Sequence, residues 1–139
     1  MSTRLREKEE RLEEFLTRLA EESAAGALIV VEGRKDIAAL SSLGINGRIM
    51  TAKTGGQSFL ETASEIENTG VSEVILLLDF DRRGKEGTER LRQFLEKARI
   101  RVNLKFWTEL LGIVGKQVKD VEGLTSYMET LKSKLTGNP

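Results

Sequence analysis

Neither cysteine nor histidine occurs in this sequence. The first absence removes disulfides, a thiolate nucleophile and every cysteine-ligated zinc site. The second removes Ser-His and Cys-His catalysis, histidine-ligated zinc and imidazole acid–base chemistry. Any chemistry must therefore run on carboxylates, lysines, hydroxyls or a metal held by oxygen. Long apolar runs are missing too, since no stretch approaches the roughly 20 residues that span a bilayer. The chain is charged from Arg4 onward with no apolar signal core, so a cytoplasmic protein with no membrane association is expected. An excess of either charge is also missing. Lys plus Arg and Asp plus Glu each number 22, so any affinity for nucleic acid must come from local patches. The 139 residues are read as one domain, enough for one proper core.

The strongest pattern present is Val74-Ile75-Leu76-Leu77-Leu78-Asp79-Phe80-Asp81-Arg82-Arg83-Gly84. Five apolar residues before a turn fit a strand buried on both faces, as in a parallel sheet covered by helices. In extended chain, Asp79 and Asp81 point the same way, beyond the strand's carboxyl end, where open parallel sheets bind ligands. Adjacent carboxylates repel unless a cation joins them, and oxygen-only ligation suits magnesium or manganese. A second stretch has the same design: Ala27 to Val31 forms a buried strand that ends in Glu32-Gly33-Arg34-Lys35-Asp36. Here Gly33 is expected to make a sharp turn, and Asp36 to start or cap the next helix.

The remaining elements follow in order. Residues 3 to 23 read as a helix with a stripe of Leu5, Leu12, Phe15, Leu16 and Leu19. That stripe lies on the domain or, as an alternative, joins a homodimer or protein partner. A helix through Ile37, Leu40 and Leu43 leads to a strand at Arg48–Ala52. The pair Gly55-Gly56 then precedes a helix with Phe59, Leu60, Ala63 and Ile66; the pair could present backbone N–H groups to a phosphate, but it does not match the P-loop. After Gly84 a helix is expected over 86–98, an edge strand over 100–107 and a loop or short strand over 110–115. A last helix spans about Leu124–Leu135 and carries Tyr127. Alternating strands and helices at this spacing give a doubly wound α/β fold.

If the two acid-tipped strands are neighbours, Glu32, Asp79 and Asp81 converge on one crevice. Arg34, Lys35, Arg82, Arg83 and Lys85 ring it in sequence, the composition of a metal-dependent phosphate site. Lys116 and Lys119 could add phosphate contacts, and Asp120 or Glu122 a ligand, if their loop folds back; Asp120 otherwise reads as a helix cap. The arginines could equally pair with Glu86 and Glu89.

Val31-Glu32-Gly33-Arg34-Lys35-Asp36 and Asp79-Phe80-Asp81-Arg82-Arg83-Gly84 resemble the paired motifs of the Toprim family, over residues 26–108. That family includes topoisomerases, bacterial-type primases, small nucleases such as the 5S ribosomal RNA maturase, and recombination repair proteins. The nearest likeness is to its small stand-alone members. The resemblance implies a Rossmann-like, mostly parallel four-stranded sheet, here with an extra N-terminal helix over 1–24 and a C-terminal loop and helix over 109–139. It also implies that Asp79 and Asp81 bind Mg2+ or Mn2+, and that Glu32 acts as general acid/base or shares the metal, with Gly33 and Gly84 as turn residues. Tyr127, the one tyrosine, lies in the last helix, so the nucleophile of a topoisomerase is not implied. The expected function is a Mg-dependent nuclease acting on DNA or RNA. The alternative is an accessory subunit that binds metal and nucleic acid without chemistry, and a receiver-like phosphoacceptor fits the order of acids less well.

Overall fold

In the computed structural model, β-branched and leucine-rich runs form the centre of the sheet. Residues 3–52 and 58–136 are described, apart from the Ser58 side chain, so the Gly55-Gly56 reading lies outside the described residues. Strand β1 (Leu28–Val31) is buried at every position, and β3 (Glu73–Leu77) at all but its first. They pair in parallel, with Leu28 opposite Val74 and Val31 opposite Leu77. The flanking strands β2 (Arg48–Thr51) and β4 (Arg101–Asn103) are more exposed edges, and the order is β2-β1-β3-β4. Every pairing is parallel, which sharpens the expectation of a mostly parallel sheet.

Among the described residues six α-helices accompany the strands: α1 (Thr3–Ala24), α2 (Arg34–Ser42), α3 (Ser58–Asn68), α4 (Arg82–Lys97), α5 (Lys105–Val114) and α6 (Leu124–Leu135). Alternating side chains of β1 and β3 feed opposite cores. Ile29, Val31, Ile75 and Leu77 meet α1, α2, α5 and α6 on one face, while Leu28, Val30, Val74 and Leu76 meet α3 and α4 on the other. The α1 stripe is used inside the chain: Leu12, Phe15 and Leu19 are fully buried, and the Phe15 ring meets Phe106 edge-on at 5.7 Å. Removing one such side chain leaves a cavity that costs about 3–5 kcal/mol. Among the described residues, no helix is long and apolar enough to cross a membrane.

Two stretches differ from the sequence reading by more than a residue or so at an end. Strand β4 ends at Asn103, whose Oδ1 accepts a hydrogen bond from Lys105 N at 2.9 Å. Helix α5 then occupies the stretch read as strand and loop, burying Phe106, Leu110, Ile113 and Val114 at helical spacing. Helix α4 begins at Arg82, ahead of the expected Glu86, because Asp81 caps it by accepting from Gly84 N at 2.8 Å.

Candidate functional site

The chain leaves β1 toward β2 on one side and β3 toward β4 on the other, so the order reverses between β1 and β3. Helices α2 and α4 accordingly start from neighbouring strands and pass to opposite faces of the sheet. The resulting gap at the strands' carboxyl ends is where doubly wound sheets place ligands. Glu32 and Asp79, both half-buried, stand at its two sides. They are linked directly: Asp79 N donates to Glu32 Oε2 at 3.1 Å. Asp81 lies exposed at the lip, with one oxygen turned back to cap α4. Phe80, between them, points into the core, 7% exposed.

Burial pushes the Asp79 carboxyl up to about 7, and the negative charges of Glu32, Asp36, Asp120 and Asp81 add to the effect in that order. Asp81, the partner expected from the Asp-x-Asp spacing, contributes least. The carboxylates brought by other segments matter more.

Asp36 shows how those segments are joined. It is only 4% exposed and does not start α2, which begins at Arg34 with Gly33 as N-cap; from the third helical position its Oδ2 reaches back to accept from Gly33 N at 2.9 Å. Its Oδ1 accepts from Glu122 N at 2.8 Å, a bond 86 residues away that has no signature in the sequence. Burial raises the Asp36 pKa, and the two backbone N–H bonds oppose that rise. Phe80 N donates to Lys119 O at 2.6 Å, a second tie to the same segment. Asp120 caps the short 3-10 turn Val121–Gly123 by accepting from Gly123 N at 2.9 Å, so the loop folds back and Asp120 still serves as a cap. Carboxylate oxygens of Asp36, Asp120 and Glu122 lie within 4.8 Å of one another. Asp120 and Glu122 offer oxygen donors of the kind a hard divalent cation takes, while both oxygens of Asp36 already accept backbone N–H bonds.

The two motif glycines differ. Gly84 is buried in the first turn of α4, where a Cβ would collide with the Asp79 carbonyl, so its role is close approach. Gly33 is extended at φ −149°, and a Cβ there would meet only open space, so the expected need for glycine at a sharp turn is not met. Trp107 sits on α5, not at a strand end, and its Nε1 donates to Leu78 O at 2.8 Å, fixing the backbone just before Asp79.

Cations surround this group. Arg34 and Lys35 lie in the first turn of α2, Arg83 and Lys85 in that of α4, and Lys116 and Lys119 in the C-terminal loop. They reach solvent, and none forms a salt bridge among the described residues. Arg82 pairs with Glu86 at 3.1 Å, whereas Glu89 pairs with Arg92 and leaves Arg83 free. Because α2 and α4 lie on opposite faces, free positive charge flanks the crevice on both sides.

The Toprim domain model matches residues 26–104, which contain all four strands and both acid-tipped loops. The chain belongs to the Toprim family. Among its relatives, the UPF0292 protein of Methanosarcina acetivorans is 38% identical over 129 residues, covering 93% of this chain and 88% of that protein. The UPF0292 protein of Methanocaldococcus jannaschii is 37% identical over 101 residues, covering 72% and 77% of the two chains. A solved structure from Aquifex aeolicus superimposes with a TM-score of 0.65 at 25% identity, covering 80% of this chain and 95% of that one. The Toprim match ends before α5, so Asp120 and Glu122 come from outside it.

Proposed function

We propose that this Toprim protein is a Mg2+- or Mn2+-dependent nuclease that cleaves phosphodiester bonds of DNA or RNA. The observation that carries this reading is Asp79: a half-buried carboxyl pushed up to about 7 by burial and surrounding acids, inside a rim of unpaired Arg and Lys. Asp79 and Asp81 would hold the cation, and Glu32 would share it or act as general acid/base. A divalent cation held there would supply charge to neutralise the carboxylates and to polarise a phosphate. Its charge would keep Asp79 deprotonated at neutral pH. Glu32 has one oxygen committed to Asp79 N and a second that can take or return a proton. Arg34, Lys35, Arg83, Lys85 and Lys116 would hold phosphates on either side of the scissile one. Arg82 can join them, because an exposed pair such as Arg82–Glu86 contributes only about 0–1 kcal/mol.

A specific observation favours the alternative, an accessory protein that binds cation and nucleic acid without cleaving. Glu32 and Asp81 each already hold a backbone N–H, so their carboxylates also have structural work. Incubating wild type and an Asp79→Asn/Asp81→Asn double variant with short DNA and RNA strands, with and without Mg2+ or Mn2+, separates the readings. The nuclease reading expects cation-dependent cleavage on a gel that the double variant loses. Cation-dependent retention of the strands without cleavage transfers the assignment to the accessory role.

A further inference from the structure

Asp36 is a buried carboxylate to which the proposed reaction gives no task. It has no salt bridge among the described residues, and its two oxygens are divided between Gly33 N in the first motif loop and Glu122 N in the C-terminal segment. The same segment is held from the other motif loop by the bond from Phe80 N to Lys119 O. Lys119 to Glu122 are therefore fastened to both loops of the crevice, although they lie beyond the Toprim match.

We infer that Asp36 is a positioning residue for the cation site. It holds the C-terminal segment against the crevice so that Asp120 joins the carboxylates around Asp79. The inference rests on the cation reading above and extends it: affinity for the ion depends on a segment outside the family-matched region. Backbone bonds to a buried carboxylate are charge-assisted and directional, so this side chain fixes the segment's distance as well as its presence. Groups that orient a metal site from behind commonly change affinity by about 10–100-fold when removed.

The test is Mn2+ binding by the full chain at pH 8, read from the electron paramagnetic resonance of the free ion, together with amide hydrogen exchange. Asp36→Ala removes both bonds. Asp120→Asn removes the charge yet keeps the cap, since Asn caps as well as Asp, and it carries the test if the first variant does not fold. Leu131→Ala truncates a buried side chain of α6 away from these bonds and serves as a control for stability alone. The expected result is affinity about tenfold weaker in Asp36→Ala and Asp120→Asn, unchanged affinity in Leu131→Ala, and faster exchange of the Glu122 amide in Asp36→Ala. Wild-type affinity in either site variant, or equal weakening in Leu131→Ala, overturns the role of Asp36 while leaving the cation reading intact. Unchanged Glu122 exchange in folded Asp36→Ala also overturns it. If wild type binds no Mn2+, the cation reading fails and this inference falls with it.

Discussion

In the first motif loop the carboxylate in the first helical turn, Asp36, is buried and joins Gly33 to Glu122, 86 residues along the chain. In the second, the carboxylate at the helix start is the N-cap itself, Asp81, which is exposed and reaches only Gly84, three residues ahead. The glycines are reversed: Gly84 is enclosed against the Asp79 backbone, whereas Gly33 has room where a side chain would stand. One loop is therefore secured by a distant contact through a side chain, the other by close packing of its own backbone. Two different carboxylate contacts at helix starts give a site whose halves should fail for different reasons.

The largest expected effect tests the packing half. In Gly84→Ala the new methyl meets main-chain atoms that cannot turn aside, so denaturant unfolding should show a loss of about 3 kcal/mol or more. Gly33→Ala, by contrast, should change stability by no more than about 0.5 kcal/mol. Equal losses would erase the distinction between the loops. Next comes the side-chain half. Asp36→Ala leaves two backbone donors without their acceptor and should cost about 3 kcal/mol, measured in the same way. Asp81→Ala removes one exposed cap and should cost about 1 kcal/mol.

The acidity of Asp79 gives a smaller effect of opposite sign. Its folded-state value of about 7 lies above the ordinary 3.8, so the folded chain keeps this proton when the unfolded chain has lost it. Stability from this group is thus full below about pH 4, declines as pH rises, and is lost above about pH 7. Asp79→Asn should make the cation-free protein more stable at pH 8 by about 1 kcal/mol, solvent screening having reduced the full value. At pH 4 the gain should vanish, which thermal melts at the two pH values can check.

Much of this is legible in the sequence because its signals are local. Two apolar runs ending in acids mark β1, β3, the crevice and the Toprim likeness, and the leucine stripe marks α1. The stretch 100–107 misleads because Ile100, Val102, Leu104 and Phe106 alternate as a strand does, while Phe106 also begins the helical series continued by Leu110, Ile113 and Val114. The longer of the two patterns is the helical one, and length is what separates them. The start of α4 needs only an Asp at the cap position, but the Asp-x-Asp spacing draws Asp81 toward ligation alone and hides its capping role. The bond from Glu122 to Asp36 leaves no sequence signal, since backbone N–H groups are carried by almost every residue type.

The most direct test of the cation site is the melting temperature of wild type and Asp79→Asn at pH 8, with and without Mg2+ or Mn2+. The cation should raise the wild-type midpoint by several degrees, while Asp79→Asn should melt higher without cation and gain little from it. A cation response of the same size in both proteins, or in neither, would contradict the assignment of the Asp79 crevice as a cation site.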